Sequence, residues 1–203
     1  MEGLWQYTGL ISSAGQSMPL TGIFLFKDGL FLQQAIFDGS PFERQGAMAH
    51  AGTYTITPAG VNLTAEQTIS VAPADTPALS FRRDTRHVLT TDRSGSDLKL
   101  VFGSGTVQTF TRAGPGEGSV HKLPNGSVAF VDGYFILVAG DENDTVSGFG
   151  RYERADDLYT VRVTRWAEVV GGKAINLRDV VLKVRFDGKT LSLPDGRRFT
   201  VDG

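Results

Sequence analysis

The chain has 203 residues, 40% hydrophobic and 21% charged, with a formal net charge of −2 and no cysteine. That length suits one large β-domain or two small ones and buries enough apolar surface to fold without covalent staples. The missing cysteines exclude disulfides, thiolate metal sites and a cysteine nucleophile, and the near-neutral charge offers no bulk attraction to nucleic acid or an anionic membrane.

The N-terminus reads Met1-Glu2-Gly3-Leu4-Trp5, with an acid where a signal peptide needs a base and no apolar run behind it. No window reaches the length of a membrane helix. The expectation is a cytoplasmic protein without membrane insertion, and no cofactor is expected.

Helical periodicity is nearly absent, while alternation and turn signals recur, which argues for an all-β chain. Ile23 to Lys27 and Leu30 to Phe37 read as a hairpin around Asp28-Gly29, a dipeptide suited to a type I′ turn. Asp132-Gly133, Asp187-Gly188 and Asp195-Gly196 repeat the device. Both faces of the first hairpin are apolar. Phe24, Phe26, Phe31 and Phe37 share one side, and Ile23, Leu25, Leu30, Leu32 and Ile36 the other. Gln33 and Gln34 interrupt the return strand on opposite faces, so one must point inward, where it can orient a ligand's oxygen; the alternative is a strand-edge glutamine reaching solvent.

A strand over Arg44 to Thr57 leads through Pro58-Ala59-Gly60 into Val61 to Ser70. Alternation puts His50 on one face with Met48, Tyr54 and Ile56. In the next strand Val61, Leu63, Ala65 and Ile69 form the core face against a solvent face of Asn62, Thr64, Glu66 and Thr68. After a loop from Ser70 to Pro77, strands are expected at Leu79 to Arg83, Arg86 to Thr91, Leu98 to Phe102 and Thr106 to Arg112.

Residues 113–118, Ala-Gly-Pro-Gly-Glu-Gly, read as a linker between a first domain (1–113) and a smaller one (119–203). Past it the pattern restarts. Phe130-Val131-Asp132-Gly133 repeats Phe26-Lys27-Asp28-Gly29, and Leu158-Tyr159-Thr160-Val161 repeats Thr53-Tyr54-Thr55-Ile56. These matches suggest a diverged internal repeat whose second copy lacks one loop and at least one strand. The second hairpin is also apolar on both faces: Val128, Phe130, Phe135 and Leu137 oppose Val131, Tyr134, Ile136 and Val138. Strands apolar on both faces need a covering layer. Either the two halves pack on each other, or a homodimer forms there.

Gly3-Leu4-Trp5 resembles the G-x-W pattern on the first strand of lipocalins, and Phe110-Thr111-Arg112 the place where lipocalin-like barrels often carry an arginine. Thr21-Gly22-Ile23, Asp28-Gly29, Ala51-Gly52-Thr53-Tyr54 and Leu98-Lys99-Leu100-Val101-Phe102 follow in an order like that of bacterial lipocalin-like domains. The resemblance covers residues 1 to about 113. It implies a calycin-type barrel sealed at one end by Arg112 packed across Trp5, and a cup for a small apolar molecule. The second half has no G-x-W; its Trp166 follows Arg165 late in a long strand.

The fold expected is therefore an antiparallel lipocalin-like β-barrel followed by a smaller antiparallel β-unit packed against it. The first function expected is binding of a small hydrophobic molecule, with Phe24, Phe26, Phe31, Gln33 and Met48 as lining. The second is a cofactor-independent isomerase, lyase or cyclase with His50 and Tyr54 as acid–base residues. The third is a structural or interaction module. For His50 the competing role is a core histidine satisfied by a backbone carbonyl. His50, His87 and His121 lie in three separate segments with no metal-ligand spacing, so no metal is expected.

Overall fold

Asp28 and Gly29 hold positive φ angles of 52° and 77°, and Asp132 and Gly133 repeat this at 49° and 74°. Left-handed backbone at both central residues is what a type I′ hairpin requires. At Asp187-Gly188 and Asp195-Gly196 only the glycine is left-handed. There the aspartate caps the turn instead. Asp187 Oδ1 accepts from the amides of Lys189 at 2.8 Å and Thr190 at 2.7 Å, and Asp195 Oδ1 from that of Arg197 at 3.0 Å. These four Asp-Gly pairs mark turns of two types.

The computed structural model describes residues 1–202, which form two antiparallel sheets. The first contains β1 (Gly3–Ile11), β2 (Leu20–Lys27), β3 (Leu30–Phe37), β4 (Ala47–Thr57), β5 (Gly60–Val71), β6 (Leu79–Arg82), β7 (Thr85–Ser94), β8 (Asp97–Phe102) and β9 (Val107–Gly114). A single 3₁₀ turn, Phe42–Arg44, precedes β4. β1 pairs with both β2 and β9, and β4 with both β3 and β5, so the sheet closes into an eight-stranded barrel. β6 and β7 together make one stave along β5, kinked where Asp84 takes φ 53°.

The second sheet contains β10 (Gly118–Leu123), β11 (Gly126–Val131), β12 (Tyr134–Gly140), β13 (Thr145–Ala155), β14 (Leu158–Val170), β15 (Lys173–Leu177), β16 (Val181–Phe186), β17 (Thr190–Ser192) and β18 (Arg198–Thr200). It repeats the strand order of the first. β15 and β16 share β14 as β6 and β7 share β5, with Asp179 at φ 56° in the kink. Gly52 faces Ala65 while Ala51 faces Gln67, leaving Glu66 as the extra residue of a β-bulge; Gly150 faces Val163 while Phe149 faces Arg165, leaving Thr164. The Tyr54 amide donates to Gly29 O at 2.9 Å, and the Tyr152 amide to Gly133 O at 3.0 Å. Tyr152, not Tyr159, is therefore the counterpart of Tyr54. No strand is missing from the second half. It has a shorter connection before β13, and β17 and β18 have only three residues each. The sheet curls without a closing ladder, and the Asp202 amide reaches Lys122 O at 2.9 Å across the gap.

The doubly apolar hairpins cover each other within one chain. Leu25, Leu32, Ile36, Ala49 and Ile69 of the barrel's outer face share one core with Ala129, Ile136, Val138, Ala167 and Val169 of the second sheet. Phe24, Phe26 and Phe31 face the barrel interior with Trp5 and Phe110, and Phe130, Phe135 and Leu137 face the interior of the curled sheet. Across the seam, Gln34 Nε2 donates to Ser147 O at 2.9 Å, and Lys122 Nζ meets Glu66 Oε1 at 2.9 Å. Phe42 lies under the Arg178 guanidinium at 4.3 Å. The linker is short and tied down: the Asp132 carboxylate accepts from the amides of Gly116 at 2.7 Å and Glu117 at 3.0 Å.

The bulge corrects one reading of alternation. Val61, Leu63 and Ala65 face the barrel interior, but beyond Glu66 the faces exchange, so Ile69 packs in the seam and Thr68 turns inward. Ile56, at the end of β4, is 63% exposed rather than on the core face.

Candidate functional site

One end of the barrel is sealed. The guanidinium carbons of Arg112 and Arg93 lie 5.6 and 5.8 Å from the Trp5 ring centre, and Trp5 Nε1 donates to Met1 O at 3.0 Å. Tyr54 belongs to this end. Its hydroxyl donates to Glu2 Oε1 at 2.9 Å, and its ring packs edge-on against Phe26. Burial, then the Glu2 carboxylate, pushes its phenol above the ordinary range. Above this seal the interior is filled by aromatic rings: Phe24 stacks on Phe26 at 4.4 Å and neighbours Phe31 at 5.8 Å and Phe110 at 5.7 Å.

Toward the other end the interior becomes polar. The Tyr7 hydroxyl donates to Gln108 Oε1 at 3.0 Å and accepts from Gln33 Nε2 at 2.9 Å. Gln33 Oε1 in turn forms a short hydrogen bond with His50 Nδ1. The His87 ring stands edge-on to His50 at 5.9 Å, with Phe102 beyond it at 5.5 Å. Thr68 sits directly opposite His50 in the β4–β5 ladder, so their side chains share the inner face. Met48 lies one inward position farther from the Trp5 end, half-buried, as are Leu20 and Phe102.

Six buried side-chain polar atoms lack a hydrogen-bond partner among the described residues. Those of Gln34, Gln45, Arg165 and Asn176 belong to residues at the seam between the halves. The other two, Thr68 Oγ1 and His87 Nε2, are inside the barrel. A buried polar group without a partner costs about 1–3 kcal/mol, so these two atoms single out the His50 end of the barrel interior.

The second half provides an internal control. The interior row Gln33–His50–Thr68 of the barrel corresponds to Leu137–Gly148–Trp166, each position paired in the same ladders. His87, opposite Leu63, corresponds to Leu182, opposite Val161. Where the first half has imidazole and hydroxyl, the second has glycine covered by indole. A Cβ on Gly148 would lie 2.0 Å from Trp166 Cε3, so the ring occupies that space. A cleft of about 370 Å³ opens at one end of the second sheet beside Asn125, Asp144, Arg197 and Arg198. Its buried charges are already matched: Glu168 accepts from Trp166 Nε1 at 3.2 Å and from Arg197, and Arg197 also binds Asp195.

Of the residues nominated from sequence, Phe24, Phe26 and Phe31 form the barrel floor, and Gln33, His50 and Met48 lie above it. His50 and Tyr54 are not brought together; their contacts lie at different levels of the barrel. His50 is satisfied by a side-chain amide, not by a backbone carbonyl. Gln33 is the inward glutamine, and Gln34 is buried in the seam rather than exposed. Tyr7, Thr68, His87 and Gln108 went unnominated. Thr68 was hidden by the bulge, and His87 by its distance in sequence from His50. Among the described residues no three of His, Asp and Glu converge as a metal site, and no helix is long and apolar enough to cross a membrane.

Burial, and then His87, holds the His50 imidazole well below its ordinary range; burial lowers His87 and His121 as well. The unfolded chain therefore binds more protons than the folded one just below about pH 6.5, and stability is complete above that pH and lost as pH falls. Urea midpoints should be flat from pH 8 to 7 and correspond to about 1–2 kcal/mol less stability by pH 5, before carboxylates contribute. A midpoint unchanged between pH 7.5 and 5 contradicts the burial of these rings.

No protein-family model matches the chain, and a search of curated proteins found no match.

Proposed function

We propose that the first half is a lipocalin-like barrel that binds a small, largely apolar molecule at the His50 level of its interior. The ligand's apolar body rests on the aromatic floor and the half-buried rim of Leu20, Met48 and Phe102. Its polar group completes Thr68 Oγ1 and His87 Nε2. The observation that carries this reading is the contrast between the halves: one strand order, with the same interior row filled by Trp166 in one copy and polar in the other, where Thr68 Oγ1 has no partner among the described residues. The closed Trp5–Arg112 end and the order of the family-like segments support a lipocalin-type assignment. The apolar outer faces of the hairpins are consumed within the chain, which removes the surface that argued for an interaction module.

The test converts the first half into the second. His50→Gly with Thr68→Trp should fold, because Gly148 and Trp166 use this arrangement, and should abolish retention of a small molecule by the protein in native mass spectrometry after mild purification. If the double variant does not fold, Thr68→Val replaces it. Removing the orphan hydroxyl should stabilise the empty protein by about 1 kcal/mol and weaken retention. Equal retention by wild type and variant, or no retained molecule in either, overturns the reading.

A further inference from the structure

The hydrogen-bond chain that ends at His50 constrains what the ligand's polar group is. We propose that the site selects a neutral hydroxyl donor, such as a phenol or alcohol, over a carboxylate; this inference rests on the binding role assigned to the barrel above.

The hydrogen-bond chain starts at Gln108. Tyr7 has one proton, and it is directed to Gln108 Oε1 at 3.0 Å. The Tyr7 oxygen is then an acceptor for Gln33, which must present its amide nitrogen, as it does at 2.9 Å. Gln33 consequently turns its carbonyl oxygen toward His50. A carbonyl only accepts, so the His50 proton resides on Nδ1 and Nε2 carries the lone pair. His50 Nε2 has no partner among the described residues, and its ring is half-buried in the barrel. The group that meets it must donate a hydrogen bond.

Thr68 completes the preference. A hydroxyl that donates to His50 Nε2 keeps two lone pairs, and the Thr68 hydroxyl can rotate to donate to one of them. A carboxylate has no proton to give. It would face the His50 lone pair, and no lysine or arginine contacts His50, His87 or Thr68 among the described hydrogen bonds and ion pairs. Arg93 and Arg112 are at the opposite end, engaged with Trp5. Burying a charge without a partner is strongly unfavourable.

Two measurements on the full chain test this. Long-range proton–nitrogen spectra of the imidazoles at pH 7.5 should show His50 protonated on Nδ1 and bare on Nε2; a proton on Nε2 overturns the proposal. Titration calorimetry with 4-ethylphenol, 4-ethylanisole and 4-ethylbenzoate should show the phenol binding about tenfold tighter than either analogue. His50→Asn keeps a donor for Gln33 but places no acceptor at the Nε2 position, and should erase the phenol's advantage while leaving the ether and benzoate unchanged. If all three probes bind alike and shift the Thr68 and His87 resonances, the binding role stands and the hydroxyl preference falls. If the benzoate binds tightest, the preference is likewise overturned. If none binds and no resonance moves, both the preference and the binding role fall.

Discussion

Gly52→Ala should destabilise the protein by about 3 kcal/mol or more, and Gly150→Ala by a similar amount. A Cβ on Gly52 would stand 2.0 Å from the Thr64 carbonyl oxygen, and one on Gly150 2.2 Å from that of Arg162. Both obstacles are backbone atoms of the bulged strand, so neither can swing aside as a side chain would. To make room, the bulge must open. In the barrel that would move Thr68 off the inner face; in the second sheet it would lift Trp166 from Gly148. For a chain of this size the loss corresponds to roughly 10 °C in melting temperature. Gly39 is the control, since nothing lies within 4 Å of its added Cβ and its φ is ordinary; Gly39→Ala should stay within about 0.5 kcal/mol. Thermal melts of the three variants decide the matter, and equal small effects would contradict a bulge that needs glycine.

Trp5→Ala should cost about 3–5 kcal/mol, the range for removing a fully buried large aromatic side chain. Trp5 is entirely buried, anchors the terminal segment through Met1 O, and lies within reach of two guanidinium groups. Its loss leaves a cavity at the sealed end and strips Arg93 and Arg112 of their aromatic partner. Arg112→Met keeps most of the packing and removes one cation–π contact and two long hydrogen bonds to Gly114 O and Glu2 O, so about 1–2 kcal/mol is expected for it. Denaturant unfolding separates the two. A Trp5→Ala loss no larger than that of Arg112→Met would show that the ring does not seal the barrel.

Much of this architecture is legible in the sequence because hairpins announce themselves locally. Asp28-Gly29 and Asp132-Gly133 encode their turns in two residues, and the apolar residues on both faces of Gly22 to Phe37 require a covering layer, which the second half supplies. Gly3-Leu4-Trp5 and Arg112 sit far apart in sequence yet describe one sealed end. What the sequence hides is register. A bulge adds a residue without a composition signal, so simple alternation carried Ile69 to the wrong face and left Thr68 on the solvent side. The matching glycines Gly52 and Gly150 are the signal that locates it, but only once the two halves are aligned by strand order. That alignment was obscured by the shorter connection before β13, which made Tyr159 look like Tyr54. The polar level was half visible. His50 and Gln33 stand out in apolar strands, whereas Tyr7, His87 and Gln108 converge on them only through barrel closure.

The central claim is that the polar level of the first barrel is an incomplete site and its counterpart in the second half a filled one. The direct measurement is a high-resolution crystal structure of the protein isolated gently from its own cells. Density for an organic molecule within hydrogen-bond distance of Thr68 Oγ1 and His87 Nε2, with the Gly148–Trp166 level free of any guest, is the predicted result. Thr68 and His87 satisfied by each other, or by ordered water alone, would contradict it.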